Sequence, residues 1–254
     1  MPILYAIVVF LATLIGALFG IGGGVIIKPA LEAFSGEPLA LINALSGITV
    51  LCMAIVSLLR YIGSGQKLDF RVFPLALGAV SGGFAGKYLF DLLLLSLDER
   101  AAKCLQYGLL IVMLLVVTQR ARFKARDLRG LPVLFAAGLA LGTLSAFLGI
   151  GGGPLNLLVL YIVIGTEAKR AAVYSVFVIL CSQAALVGVT ALTGGYAALD
   201  LGPLAFMLPA AIAGGLIGPA IHKRLPADRF ARSFTVLVWL LVGLNVWNVV
   251  KLWV

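Results

Sequence analysis

Residues 17–24 read ALFGIGGG, and residues 146–153 read AFLGIGGG, 129 positions further along a chain of 254 residues. Each stretch lies inside a long apolar run. The second run, residues 130–166, is too long for one membrane crossing and too short for two. Glycine costs about 1 kcal/mol relative to alanine in a helix interior, so each cluster of glycines favours a break. We therefore predict breaks at Gly20–Gly24 and Gly149–Gly153, with the helix after each break returning toward the starting side.

The composition excludes a water-soluble globule. Hydrophobic residues make up 62% of the chain, charged residues 11%, and the mean hydropathy is +1.15. A soluble domain has about 45–50% apolar and about 25% charged residues. Eight stretches contain no charged residue or histidine, and most are close to the ~20 residues that span a bilayer. The net charge of +9 lies in short clusters between these stretches, which indicates membrane loops and no nucleic-acid partner.

The glycine stretches belong to a longer internal repeat. At the same offset Ser46 pairs with Ser175 and Cys52 with Cys181. We expect a first transmembrane repeat over residues 1–119, a basic cytoplasmic linker over 120–130 and a second transmembrane repeat over 131–254. The predicted fold is an all-α polytopic membrane protein, with each repeat a glycine-broken helical hairpin plus three transmembrane helices. Internal repeats of this kind are typical of secondary transporters.

The positive charges favour one topology. If the hairpins add no net crossing, fourteen Lys and Arg residues fall on one side of the membrane and five on the other. If each half crosses an even number of times, the division is nine and ten. The positive-inside rule favours the first arrangement. It predicts two inverted repeats in the cell (inner) membrane, with both termini outside.

The glycine breaks are the strongest candidates for a substrate site. A break exposes backbone N–H groups at the positive end of the following helix, which suits an anion. The candidate glycines are Gly22, Gly23, Gly24, Gly151, Gly152 and Gly153. The alternative is close packing of helices through small residues. We favour that alternative for Gly78, Gly82, Gly86, Gly214 and Gly218.

Polar side chains within the apolar runs are further candidates, because such groups face the interior of a helix bundle. They are Asn43, Ser46, Thr49, Asn156, Tyr174, Ser175, Ser182, Gln183 and Lys28. For the neutral residues the alternative is a hydrogen bond between helices, and for Lys28 it is an extended side chain that reaches the membrane surface. His222 is expected to be exposed at the interface. No acidic residue lies at the centre of a long span, so the sequence offers no evident proton relay.

Other functional classes lack support in the sequence. The three cysteines lie in apolar runs without metal-ligand spacing, so we expect no metal and no cofactor. Intramembrane proteases and metal-dependent transferases need a histidine near a nucleophile or an acidic cluster. The single histidine, beside Lys223, and the lack of an Asp-x-x-Asp motif argue against a catalytic site.

The duplicated motif resembles the sulfite exporter TauE/SafE family of membrane permeases. The resemblance rests on Gly20–Pro29, Gly149–Asn156 and the following stretches around Asn43 and Ser175, and it covers essentially the whole chain. It departs from the pattern where Leu158 matches the position of Pro29. The resemblance implies export of small sulfur-containing or organic anions such as sulfite, sulfonate or thiosulfate. The alternative functions are an anion channel and a transporter of a non-sulfur organic anion. A homodimer is a possible assembly.

Overall fold

The computed structural model describes residues 2–119 and 130–253, and every regular element in these ranges is an α-helix. The first half contains α1 (Pro2–Phe19), α2 (Gly24–Phe34), α3 (Leu39–Gly63), α4 (Val72–Ser96) and α5 (Glu99–Thr118). The second half contains α6 (Leu131–Leu148), α7 (Pro154–Ile164), α8 (Ala168–Leu192), α9 (Leu204–Arg224) and α10 (Ala227–Lys251). The all-helical prediction is confirmed. The predicted linker, except for Gly130, lies outside the described residues.

The predicted helix breaks are also confirmed. α1 ends at Phe19 and α2 begins at Gly24, while α6 ends at Leu148 and α7 begins at Pro154. Gly149 caps α6 in a left-handed conformation (φ 64°), which only glycine adopts at little cost. Proline at the first position of α7 loses no helical hydrogen bond, because the first N–H groups of a helix have no partner within it.

Seven helices are long and apolar enough to cross a membrane: α3, α4, α5, α6, α8, α9 and α10. The chain is therefore a multi-pass membrane protein. The three spans expected after each hairpin are α3–α5 and α8–α10. Large apolar side chains such as Leu95 and Leu192 are strongly exposed on the outer surface, as expected for residues that face lipid.

Glycines allow helices from the two halves to pack very closely against each other. A Cβ atom added to Gly78 would lie 2.1 Å from the carbonyl oxygen of Phe135, and one added to Gly214 would lie 2.2 Å from Thr13 Oγ1. These contacts join α4 to α6 and α1 to α9. The packing role expected for this group of glycines is confirmed, and each half inserts helices between those of the other.

The contacts also fix the helix directions. Gly78 and Gly86 of α4 meet successive turns of α6 in the same order, so these two helices run parallel. Leu39 at the start of α3 packs in one cluster with Phe90 near the end of α4, so α3 and α4 run antiparallel. Tyr61 at the end of α3 donates to a carbonyl in the last turn of α1 (2.7 Å), which places the ends of α1 and α3 together. It follows that α6 runs opposite to α1.

Each short helix returns along the long helix before it. Phe34 at the end of α2 lines the same surface cavity as Leu4 near the start of α1. In the second half, the carbonyl of Ile164 at the end of α7 accepts a hydrogen bond from Arg71 Nη1 (3.3 Å). Arg71 immediately precedes α4, whose first turns pack against the first turns of α6. Both hairpins therefore reach into the protein and come back to the side from which they started.

Candidate anion-binding site

The two glycine breaks meet in the interior of the protein. A Cβ atom added to Gly22 would lie 2.8 Å from the carbonyl oxygen of Gly151, and one added to Gly24 would lie 2.2 Å from that of Ile150. Backbone touches backbone here, which leaves no room for side chains. Helices α2 and α7 begin at the two breaks and run away from them in opposite directions. Their N-terminal ends therefore face a common region.

Helices α3 and α8 line this region in a reciprocal way. Asn43 of α3 lies against Gly149 of the second break, and Ala172 of α8, 129 positions later, lies against Gly20 of the first. The same reciprocal relation holds for the pairs Val50–Gly151 and Ile179–Gly22. The repeat found in the sequence is thus reproduced as a repeat of contacts.

The carbonyl end of α1 at the first break is capped by two side chains. Tyr61 Oη donates to Ala17 O (2.7 Å), and His222 Nδ1 lies 2.8 Å from Leu18 O. A carbonyl oxygen can only accept, so Nδ1 carries the hydrogen. His222 is 2% exposed, so the expected interfacial position is wrong, because the ring inserts between α1 and α10 and packs edge-on against Phe230.

The carbonyl end of α6 at the second break is capped by a different pair. Lys28 Nζ donates to Leu148 O (2.5 Å) and to Gln106 Oε1 (2.5 Å), and Gln106 Nε2 donates to Phe147 O (2.6 Å). Lys28 is 2% exposed, so its side chain does not reach the membrane surface. It caps a helix between the halves, and its contribution of positive charge to an anion pathway stays a prediction.

The N–H ends of the breaks are left without partners. The amide groups of six glycines donate no hydrogen bond to any described residue: Gly22, Gly23, Gly24, Gly151, Gly152 and Gly153. An unpaired N–H away from water costs several kcal/mol in a membrane interior. At each break, side chains cap the carbonyl end of one helix, while the N–H groups at the start of the next helix stay free. These N–H groups carry positive potential and favour an anion.

Buried polar side chains without partners lie on α3 and α8, the helices that border these glycines. Seven buried atoms form no hydrogen bond with described residues, namely both amide atoms of Asn43 and of Gln183 and the hydroxyl oxygens of Ser46, Thr49 and Ser175. Ser46 Oγ lies 3.0 Å from a Cβ atom added to Gly24. Folded proteins leave few buried polar groups unpaired, so such a concentration indicates a ligand or water site. We call these five residues, together with Asn156, the central polar cluster.

Asn156 joins the cluster from the first turn of α7. It is 3% exposed, and its Nδ2 atom lies 3.0 Å from a Cβ atom added to Gly152. Its side chain therefore lies directly beside the second break, where the sequence placed it.

Two candidates lie apart from the cluster. The hydroxyl of Ser182 donates to Ile179 O within α8 (3.1 Å), and its own carbonyl meets Gly83 of α4. Tyr174 is buried near Asp69 and Arg71 in the loop between α3 and α4. The hydrogen bond from Arg71 lowers the pKa of Asp69, so this loop keeps a carboxylate beside the tyrosine. Ser182 thus packs between helices, and Tyr174 lies at the end of α8 that borders this loop.

Two cavities lie on either side of the breaks. One, of about 220 Å³, reaches Asn43 and Gly149 and contains the hydrogen-bonded pair Lys87 and Asp91 in its wall. The other, of about 570 Å³, lies at the ends of α3 and α9 and is lined by Arg60, Lys223 and Arg224, among others. We call the second one the basic cavity.

Comparison with known proteins identifies the family. A profile of the family described as "Sulfite exporter TauE/SafE" matches residues 5–246. The chain belongs to the sulfite exporter TauE/SafE family. The TauE/SafE chain is also 26% identical to a "Probable membrane transporter protein" of Haemophilus influenzae over 176 residues, which cover 66% of this chain and 63% of the relative. The match thus spans less than two thirds of that relative. No solved structure matches this TauE/SafE chain.

Sequence reasoning missed the residues that cap the breaks. Tyr61, His222 and Gln106 lie 44, 204 and 41 positions from the carbonyls they contact, and no local pattern links such distant positions. Glu32 was also missed, because it lies between two apolar runs. The i,i+4 spacing of Lys28 and Glu32 beside a glycine break is the one signal that could have indicated a buried pair.

Proposed function

We propose that this protein is a secondary transporter that exports small sulfur-containing or organic anions across the plasma membrane by alternating access. Sulfite, sulfonates and thiosulfate are the proposed substrates. Family membership supports the transport function, and the central polar cluster supports an anion as cargo. The observation that carries the proposal is the set of six unpartnered glycine N–H groups beside the unpartnered atoms of the cluster.

We further propose that the two halves form an inverted repeat with the anion bound between them. The opposite directions of α1 and α6 and the reciprocal contacts of α3 and α8 support this arrangement. In transporters built in this way, the binding site lies near the bilayer midplane and one half rocks against the other. The cavities on either side of the breaks are the proposed ends of the two access routes.

The physical basis of anion preference is electrostatic. The first N–H groups of α2 and α7 carry the positive ends of two helix dipoles, and these act in a low-dielectric interior. Hydroxyl and amide donors of the cluster can add hydrogen bonds to an oxyanion, each worth about 1.5–3 kcal/mol when one partner is charged. Since these donors also suit a carboxylate, the assignment of sulfur anions rests on the family.

Binding by thermal shift tests the proposal. Sulfite, thiosulfate, sulfonates and carboxylates are compared at fixed ionic strength, because a ligand that binds the folded state raises the melting temperature. A selective shift with a sulfur anion, lost in Gly152→Val, is the expected result. Counterflow in proteoliposomes then separates a carrier from a channel, since only a carrier accelerates uptake when substrate is present inside. No shift with any anion would contradict the proposed site.

A further inference from the structure

An ionisable cluster on α2 is not explained by anion binding. Lys28 and Glu32 lie one turn apart, and both face α5. Tyr107 Oη donates to Glu32 Oε2, while Glu32 Oε1 is buried and has no partner among the described residues. A buried carboxyl oxygen without a partner is costly to maintain, so it indicates a functional group.

The surrounding charges place Glu32 between two ammonium groups. Lys28 of α2 and Lys103 of α5 both interact electrostatically with the Glu32 carboxylate. Lys103 also forms an ion pair with Glu99 (2.8 Å). On the α10 side, Lys251 donates to Ala33 O (2.7 Å) and adds a third cation near the end of α2. Glu32 itself is half-buried at the end of α2 away from the breaks, so water reaches its vicinity.

The cluster connects directly to the second break. Lys28 Nζ donates a hydrogen bond to Leu148 O (2.5 Å), the last carbonyl of α6 before the glycines. This hydrogen bond joins the two halves. A change in the charge of Glu32 alters the electrostatic balance at Lys28, because the two groups lie in a low-dielectric environment where charges interact strongly. The contact that fixes the end of α6 therefore depends on whether Glu32 carries a proton.

Capping alone does not require a lysine with a buried carboxyl group beside it. In the other half, Leu157 occupies the position matching Lys28, 129 positions later, and it lines an apolar cavity with Phe230 and Phe234. The first break is instead capped by Tyr61 and His222 from other helices. A charged cap with its own buried acid is thus a property of one half only.

We propose that Glu32 is a proton-binding site that couples proton movement to anion transport through Lys28 and the second break. The proposal rests on the transport function proposed above. The proton binds Oε1, the oxygen without a partner, when Glu32 faces one side of the membrane, and leaves the same oxygen when it faces the other. Binding and release of this proton change the strength of the hydrogen bond from Lys28 to Leu148 O of α6, and thereby the geometry of the anion site.

Purified protein in proteoliposomes tests the proposal with thiosulfate, or with isethionate if thiosulfate is not exchanged. Both are anions of strong acids and carry no proton at neutral pH, so any coupling must come from the protein. In the wild type, a pH difference should drive thiosulfate accumulation, and a thiosulfate gradient should move protons, as read by a pH-sensitive dye in the lumen. Glu32→Gln should still exchange thiosulfate at equal pH, at a rate that need not equal that of the wild type, but should lose the accumulation driven by pH.

Two further variants complete the test. Glu32→Asp keeps a carboxyl group and should retain the coupling, and Glu37→Gln makes the same chemical change in the loop before α3 and should behave as the wild type. Coupling retained in Glu32→Gln would overturn the proposal. So would net movement of thiosulfate down its gradient by the wild type without proton movement, a result that needs no variant and leaves the transport function intact. Absence of any anion exchange by the folded wild type would instead contradict the proposed function itself.

Discussion

The first and second glycine breaks share a sequence but are stabilised by different chemistry. At the first, a tyrosine and a histidine cap the carbonyls, and a tilted pair of Phe19 and Phe230 packs beside them. At the second, a lysine and a glutamine do so, and both belong to the opposite half. The requirement common to both is a donor for the carbonyl end, which leaves the N–H end free. The two breaks thus share the free N–H side, where we propose that the anion binds, while the residues on the carbonyl side differ.

The largest effect on transport is expected from substitution of Gly152, whose backbone conformation differs from that of Gly23, the matching residue of the first break. Gly152 has φ 107°, and an added Cβ would lie 2.4 Å from Ile179 Cγ1, whereas Gly23 has a helical φ of −37° and meets Ala12 O at 3.0 Å. Strain and overlap at Gly152 should together cost about 3 kcal/mol or more, which corresponds to about a 100-fold loss of transport. Gly152→Ala should therefore abolish thiosulfate exchange, and Gly23→Ala should reduce it partially.

Gly188→Ala is the matched control for this pair, because an added Cβ at Gly188 meets no atom within 4 Å. All three variants should insert into the membrane and elute as the wild type in size-exclusion chromatography. Equal transport by Gly152→Ala and Gly188→Ala would remove the second break from the mechanism.

The caps should differ in their contribution to stability. Lys28→Met leaves Leu148 O unpaired, and Tyr61→Phe leaves Ala17 O unpaired. Hydrogen bonds from charged donors contribute about 1.5–3 kcal/mol and neutral ones about 0.5–1.5 kcal/mol, so Lys28→Met should lower the free energy of unfolding more. Unfolding in mixed detergent micelles measures both values. A larger loss for Tyr61→Phe would mean that the charged cap is not the stronger one.

The serines related by the repeat test whether one anion uses both breaks. Ser46 and Ser175 each carry a buried hydroxyl without a partner among the described residues. Replacing either by alanine should weaken anion binding about tenfold, from the loss of about 1.5 kcal/mol. The melting temperature of the ligand-free protein should not fall, because no hydrogen bond is lost. Concentration-dependent thermal shifts measure both quantities, and an effect confined to one serine would place the anion at a single break.

The smallest effect should come from the basic cavity. Arg60→Gln removes one of its cations, and a unit charge at about 4 Å in water is worth about 1 kcal/mol. Anion uptake from that side should fall about fivefold at low ionic strength and approach the wild-type rate at high salt, where screening is strong. Initial rates across a salt series measure this. A reduction that persists at high salt would indicate a direct contact with the anion instead.

Much of the fold follows from the sequence because local rules govern it. Glycine clusters break helices, apolar runs span membranes, and the offset of 129 predicts which positions repeat. Asn43, Ser46 and Gln183 were predicted from their positions in apolar runs, and each lies beside a glycine of the breaks. Their role in anion binding stays a prediction.

What the sequence did not reveal depends on contacts between distant segments. The burial of His222 and the cap formed by Lys28 arise only when α9 packs on α1 and the end of α6 comes beside Lys28 of α2. Ser182 matched the spacing of the cluster, but its hydroxyl donates to Ile179 O within α8 and its carbonyl meets Gly83 of α4. Helical spacing alone does not decide which neighbour a face meets.

A structure with a bound heavy-atom anion tests the central claim most directly. Selenate resembles a sulfur oxyanion and gives an anomalous signal that locates it without ambiguity. We expect one peak beside the glycine N–H groups where the two breaks meet, with oxygens within hydrogen-bond distance of those groups and of Ser46 or Ser175. Selenate found only in the basic cavity, in a protein shown to exchange anions, would contradict a binding site where the two breaks meet.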